Sequence, residues 1–473
     1  MQRRLSKLYG SLAMPHIRGS AILSGLSSLL DTNRFSRLHE FVDERHRKHG
    51  LIHRGRLGPV EAIFVGSANA ARELFRVEGP CPQNFVPEAW LLYNQMRHRR
   101  RGLLFMQGEE WLRNRRILNK ALLGPDSAST MVQPCREAAE DLVKKWKVYT
   151  NNDRIVPELE YQLYQWSIEV LLACLVGRSW TAYKSKIGSD LELLSRNLAR
   201  VFEHSARLCR LPAKLAMFAK LPSWQGFVQS ADAAFGAVDR LVDDLPRDDP
   251  EALITRFEKL GMQQDDIARI VIDLILAAGD TTAYCMQWLL LLLSRSSEVQ
   301  VKLQERLAEL KKRANDKTSD YESDLLHEPI LKGSIRESLR LYPIAPFLMR
   351  LLPEDTLLDG YPAYKGELVV ISLYTLGRDE SSFPKPNHFE PERWLRDDRG
   401  GFARVSNPNG SLPFAMGARS CVGRKLADTQ MAITVASILE NFNIDCLNKD
   451  KISMKLRMIS APSEPLQLKL INR

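Results

Sequence analysis

The 473-residue chain lacks any long apolar run: the longest, residues 170–176, falls far short of the roughly 18 to 20 residues that a bilayer-crossing helix needs. No segment is expected to span a membrane. Cysteine is sparse, with seven residues at positions 81, 135, 174, 209, 285, 421 and 446 and neither a CxxC pair nor zinc-like spacing. That excludes a disulfide framework and leaves reduced thiols as the expectation. Long basic tracts are missing too. The excess of 67 Lys+Arg over 57 Asp+Glu is dispersed, and its net +10 suits an acidic partner or an anionic membrane surface rather than nucleic acid. No GxGxxG lies between a strand pattern and a helix pattern, so any electrons the chain uses must come from another protein. Finally, the first thirty residues contain no acid, while holding Arg3, Arg4, Lys7, Arg18 and six serines. That composition predicts a mitochondrial transit segment over residues 1–30.

What is present is an ordinary globular composition, 44% apolar and 26% charged. Helix-spaced apolar positions predict helices over 41–48, 67–77, 109–123, 134–148, 157–175 and 191–202. Strand-like runs are few, at 60–65, 368–373 and 452–456. No repeat, low-complexity linker or Gly/Ser-rich boundary divides residues 31–473. The expected fold class is therefore mainly α, one large helical domain with a small β-rich subdomain.

The most informative stretch is Phe414-Ala-Met-Gly417-Ala-Arg419-Ser-Cys421-Val-Gly423, which precedes a helical pattern over 424–442. Two glycines let the backbone approach a bulky planar group, and the cysteine falls just before a helix N-terminus. There the macrodipole and unpaired N–H groups favour an anionic sulfur. A lone cysteine is ordinarily a small buried core residue. Five specified positions in ten, at about 5% usage each, would however arise by chance in roughly one such chain in ten thousand.

The stretch resembles the cytochrome P-450 family of haem-thiolate monooxygenases, matching the signature FxxGxRxCxG at every specified position. The resemblance implies haem b (iron protoporphyrin IX) with Cys421 as its axial thiolate ligand and Phe414 packed beneath the ring. It implies further roles elsewhere. Glu337 and Arg340, three apart before Pro343, resemble the family's ExxR; Arg393 in Phe389-Glu-Pro-Glu-Arg-Trp394 would complete a buried structural cluster. Trp111 and Arg115 share a helical face and, with Arg419 and Arg350, resemble the donors that hold haem propionates.

Residues 265–294 predict a helix of about 45 Å, with Ala277-Ala-Gly-Asp-Thr-Thr282 at its centre. Polar groups there are unfavourable unless hydrogen-bonded or functional. In the plainer reading Thr281 bonds back to a carbonyl one turn earlier. By resemblance, Asp280 and Thr281 are the acid and alcohol that relay protons during oxygen activation. The match departs from AGxDTT in that Ala278 occupies the usual glycine position and Gly279 follows one residue later.

Lys332 and Arg336, with Arg424 and Lys425, resemble the basic residues by which mitochondrial-type members receive an acidic, adrenodoxin-like [2Fe–2S] ferredoxin served by its reductase. The chain begins with Arg and Ser where microsomal relatives begin with a hydrophobic helix, which points to peripheral attachment at the matrix side of the mitochondrial inner membrane. Leu276, Ala277, Ile344, Ala345, Phe347 and residues near Ser460 are the expected apolar pocket lining. The implied substrate is a sterol or steroid, oxidised with O2. The stretch 274–283 resembles the arthropod moulting-hormone branch of the family, which implies ecdysteroid 2-hydroxylation as the preferred reaction, with 22- or 20-hydroxylation, an oxygen-independent hydroperoxide isomerase or dehydratase, and a non-enzymatic haem sensor as alternatives.

Overall fold

Helix α1 (Leu38–His49) leads into the antiparallel strands β1 (Ile52–Leu57) and β2 (Val60–Val65), then α2 (Ala68–Val77) and α3 (Glu88–Met96). A run of helices builds most of the molecule: α4 (Gly108–Leu123), α5 (Ser127–Thr150), α6 (Leu159–Val176), α7 (Trp180–Leu208), α8 (Ala213–Phe218), α9 (Pro222–Asp243), α10 (Leu253–Lys259), α11 (Gln264–Arg295), α12 (Ser297–Asn315), α13 (Tyr321–His327) and α14 (Pro329–Leu341). Next come β3 (Phe347–Leu351), β4 (Thr356–Leu358), β5 (Tyr361–Ala363), β6 (Leu368–Ser372) and the single-turn α15 (Leu373–Leu376). The chain closes with α16 (Arg424–Asn441), β7 (Phe442–Cys446), β8 (Met454–Arg457), β9 (Ile459–Pro462) and β10 (Leu468–Asn472). This computed structural model describes residues 13–17, 35–57, 60–125, 127–150, 155–209 and 212–473. Apart from 13–17, the transit segment expected over 1–30 lies outside the described residues. Among the described residues no helix is long and apolar enough to cross a membrane.

Local chemistry explains the elements that carry the site. The Ser67 hydroxyl caps α2, accepting the Ala70 N–H at 3.3 Å. Glu328 caps α14 by accepting the Leu331 N–H at 2.5 Å, and Pro329 sits at the first position, where its missing N–H is harmless. The 32-residue α11 spans about 48 Å. Its first turn carries Asp265 and Asp266 at the positive end of the dipole. Asp266 accepts from Arg113 at 2.8 Å and from Asn114 at 3.1 Å, pinning that end to α4. Helix α6 is buried nearly all round, as its apolar sequence requires, and packs along α11 in the main core.

The principal sheet runs β1-β2-β6-β3, with β2 and β6 parallel and the other neighbours antiparallel. Opposing Arg350 to Val369 places that arginine on an edge strand, directed to the loop before α16. Ile63, Val65, Leu74 and Ile371 form a separate core beneath the sheet.

Three expectations differ from this architecture. The helix expected from 134 begins at Ser127 and carries Pro134 inside it; burial of Met131 and Cys135 takes the helix across the one backbone bond that proline forfeits. Helix α7 is 29 residues rather than the twelve of 191–202, because Trp180, Tyr183 and Ile187 continue the buried face through a polar stretch. Strand β1 was hidden by Arg54, Gly55 and Arg56.

Candidate active site

The loop before α16 is folded around its own backbone. Cys421 N–H donates to the Phe414 carbonyl at 2.8 Å and Ser420 N–H to the Gly417 carbonyl at 3.2 Å. Gly417 has φ +75°, and a Cβ there would overlap the Glu78 carboxylate, so only glycine fits. Glu78 works in two directions: its Oε1 accepts the Ala418 N–H at 2.9 Å and its Oε2 accepts Arg350 Nε at 2.9 Å. The Cys421 thiol is accessible, yet burial still raises its pKa. Both hold for a group on the wall of an internal space. The Gly423 N–H and the Arg115 and Arg424 guanidinium groups oppose burial and favour thiolate.

Arg115, which acts on that sulfur, is one of three guanidinium groups grouped by charge, since it and Arg350 both lie within electrostatic reach of Arg419. Arg115 is buried and its Nε donates to Asn119 at 2.7 Å; burial and Arg424 lower its pKa. Arg419 donates to the Pro82 and Met106 carbonyls at 2.8 and 2.7 Å and lies over the Trp111 ring at 4.2 Å. Burial, then Arg350 and Arg115, push Arg419 down to about 10. Only Glu78 answers this positive charge with a carboxylate among the contacts described. A thiol able to hold iron, set among cations short of partners, fits a planar iron group that carries two carboxylates.

The middle of α11 lies within electrostatic reach of the loop, since Cys421 acts on Cys285. Between the ends of this mostly buried helix Ala277 is exposed and Thr281 half-exposed, so this face borders an opening. Thr281 Oγ1 donates to the Ala277 carbonyl at 2.7 Å, the back-bond of the plainer reading. Asp280 points to the other side and is buried; burial first, then the charge of Glu160, push it up to about 8. The displaced glycine also has a physical reason. A Cβ at Gly279 would stand 2.6 Å from Cζ of Tyr164 on α6, so the ring's packing excludes any side chain.

Below the loop, Glu337 is fully buried and accepts Arg340 Nη2 at 2.7 Å and Arg393 Nε at 2.8 Å. Trp394 Nε1 donates to the same carboxylate at 2.8 Å, a bond that a phenylalanine at this position could not make.

The Cytochrome P-450 family profile matches residues 20–470. The chain belongs to the cytochrome P-450 family. It is 40% identical to the mitochondrial cytochrome P-450 315a1 of Drosophila melanogaster over 97% of this chain and 88% of that protein. It is 26% identical to the mitochondrial cholesterol side-chain cleavage enzyme of Oncorhynchus mykiss, over 95% and 88% of the two chains. Against the mitochondrial 1,25-dihydroxyvitamin D(3) 24-hydroxylase of Rattus norvegicus it is 26% identical, over 94% and 86%. As a cytochrome P-450 the protein is a monooxygenase, and membership implies a haem-thiolate cofactor.

The remaining candidate residues of this cytochrome P-450 fall into two groups. Leu276 and Ile344 are buried, while Ala345 and Phe347 are half-buried near the start of β3. Ser460 N–H donates to the Ile344 carbonyl at 2.8 Å, tying that segment to β9. A cavity of about 300 Å³ lies farther toward the start of α11, against Ala268, Ile272 and Asp273, with Trp90, Phe105 and Phe235 opposite. None of the five expected lining residues borders it. On the outer side, Lys332 and Arg336 are exposed one turn apart on α14, and Arg424 is exposed at the start of α16. All three act on Asp428, which burial pushes up to about 6 against their pull. Lys425 is engaged differently, donating to the Gly124 carbonyl at 2.6 Å. Sequence reasoning missed Glu78, Tyr164 and Asp428; for Tyr164 the displaced glycine was the available signal.

Proposed function

We propose that the protein is a mitochondrial haem-thiolate monooxygenase that hydroxylates a sterol or steroid, with ecdysteroid 2-hydroxylation the preferred reaction. Residues 1–30 are its transit segment and 31–473 its catalytic domain, peripheral on the matrix side of the inner membrane. The observation that carries the reading is the accessible Cys421, whose sulfur Arg115 acts on, with Arg419 within electrostatic reach of both that arginine and the Glu78-paired Arg350. Relatives named for cholesterol side-chain cleavage and for 24-hydroxylation of 1,25-dihydroxyvitamin D(3) support a steroid-like substrate. The mitochondrial names of the relatives and the acid-free first thirty residues support the mitochondrion.

Cys421 Sγ would hold the iron as thiolate, Phe414 would pack against the ring, and Trp111, Arg115, Arg350 and Arg419 would pair with its propionates. Bound haem b supplies dioxygen reduction and oxidation of an unactivated C–H bond, with electrons from an adrenodoxin-like [2Fe–2S] ferredoxin and its reductase. Asp280, on the far side of α11, holds a proton at its carboxyl, and the Thr281 hydroxyl faces the opening beside Ala277; together they assist protonation. Leu276, Ala277, Ile344, Ala345 and Phe347 exclude water and orient an apolar substrate. Lys332, Arg336 and Arg424, with Lys425 beside them, steer the acidic ferredoxin.

The test is product identification from a panel of sterols and ecdysteroids with reduced ferredoxin and O2. The expected result is one added hydroxyl at C2 of an ecdysteroid. Hydroxylation at C22 or C20 overturns the preferred position. Turnover of hydroperoxides without electrons, or no product from any steroid, overturns the reading.

A further inference from the structure

Behind the oxygen-facing side of α11, two pairs of side chains oppose one another across its interface with α6. Asp280 and Tyr284 are one turn apart on α11; Glu160 and Tyr164 are one turn apart on α6. In the outer pair, Tyr284 Oη donates to Glu160 Oε1 at 2.7 Å, and Arg457 Nη1 from β8 stands 3.7 Å from the same oxygen. In the inner pair, Tyr164 packs against Gly279, where a Cβ would be 2.8 Å from its hydroxyl. The Tyr164 hydroxyl is buried and makes no hydrogen bond of ordinary geometry, although it lies near enough to Asp280 to favour the anion. Exposure falls inward: the Arg457 and Glu160 side chains are 43% and 34% exposed, whereas Tyr284, Tyr164 and Asp280 are at 4% or less. The segment is held in place, because Ser167 Oγ donates to the Ala278 carbonyl at 2.8 Å and itself accepts from Gln430 at 3.1 Å. A buried carboxyl beside an unpaired phenol is unfavourable in a structure unless the pair has a task.

We infer that Tyr164 is a positioning residue for Asp280, and that the Glu160–Tyr284 pair is the port through which Asp280 exchanges its proton with solvent. The inference rests on the monooxygenase reading above and adds to it the route of proton supply. At rest the Asp280 carboxyl is protonated, held so by burial and by the Glu160 charge. Tyr164 and Arg457 act in the opposite sense, and Tyr284 completes the set of titratable groups around it. When a proton is drawn toward the Thr281 side of the helix, the Asp280 O–H bond breaks and the carboxylate left behind accepts a hydrogen bond from Tyr164. Glu160 takes a proton from bulk water; Tyr284 gives its own O–H proton inward to the Asp280 carboxylate through a water and takes the Glu160 proton, so each O–H broken is matched by one formed and no electron moves in the step. Passage between the pairs crosses one helical turn, about 5.4 Å, the span of one bridging water.

Difference infrared spectroscopy of the resting haem-loaded protein, titrated through neutral pH in light and heavy water, reads the carboxyl directly. The expected protonated-carboxyl band is present in the wild type and lost in Asp280→Asn. Glu160→Gln lowers its titration midpoint and Glu160→Asp restores it, while Tyr164→Phe raises the midpoint by removing the donor that steadies the anion. In turnover, Tyr164→Phe and Tyr284→Phe each form several-fold less product per electron, with unchanged substrate-binding spectra. A band absent from the wild type, or a midpoint unmoved in both Glu160→Gln and Tyr164→Phe, overturns the inference. Since the titration needs no substrate, a band that behaves as expected in a protein that hydroxylates no steroid would sink only the substrate reading.

Discussion

Glu337 joins two guanidinium groups, an indole and the Glu390 N–H on one carboxylate with no exposure of its own. Arg340 is further tied to the Pro386 carbonyl at 2.6 Å and Arg393 to the Pro384 carbonyl at 3.0 Å, so neither can follow its charge to water. Removing the carboxylate strands two buried cations, a loss of about 3–5 kcal/mol. Glu337→Ala is therefore expected to yield no soluble haem-loaded protein, measured as the ratio of haem to polypeptide after purification. A variant with full haem content and a wild-type urea midpoint would show that the cluster is dispensable. The pair at 337 and 340 was legible through its resemblance to the family's ExxR, since three-residue spacing alone marks only a shared helix face. Glu78 was not: its partners Arg350 and Ala418 lie hundreds of residues away, and nothing near position 78 marks a buried carboxylate. The glycine shift at 279 was visible as an oddity, but its cause sits on another helix.

At the scale of elements, α14 and the start of α16 bring Lys332, Arg336 and Arg424 around Asp428, which leaves a basic surface with that carboxylate as its counter-charge. Arg336 also lies over the Phe402 ring at 5.5 Å, so its guanidinium is held in place. Charge reversal at Lys332 and Arg336 is expected to slow reduction by ferredoxin several-fold at low salt, with the difference shrinking as salt screens the encounter. Stopped-flow reduction checks this, and the substrate-binding spectrum should not move. Equal rates would remove the docking role. Lys425→Glu separates two explanations, because that ammonium joins α16 to the end of α4 and its reversal should lower stability rather than only the encounter rate. Long helices with a continuous apolar face, such as α11, were readable from periodicity alone. Strands β1 and β3 were not, because short half-buried strands alternate weakly and take their definition from the neighbours they pair with.

Across the whole molecule, stability against pH is a balance of buried groups with opposite signs. His39 and His46 on α1 and His53 on β1 are buried, and burial lowers them to about 3, 4 and 4. The His46 and His53 rings meet edge-on at 4.8 Å, and His53 stacks on Phe64 at 5.4 Å, so these neutral rings join α1 to the sheet. Because the unfolded chain protonates histidine near 6.5 and the fold does not until about 4, the unfolded state binds more protons between those values, and stability falls as the pH falls. Asp273 and Asp280, raised by burial to about 7 and 8, work the other way: the fold keeps protons that the unfolded chain releases, and stability falls as the pH rises. The two sets oppose each other in the same window, so the wild-type curve alone cannot reveal either. A single substitution isolates one sign. His53→Phe keeps a ring on Phe64 and removes a titrating group, so the variant should gain about 3 kcal/mol relative to the wild type between pH 6.5 and 4. Urea midpoints of the haem-loaded proteins across that range are the measurement. Parallel curves would mean that His53 reaches solvent in the folded state, and that α1 is not sealed against the sheet.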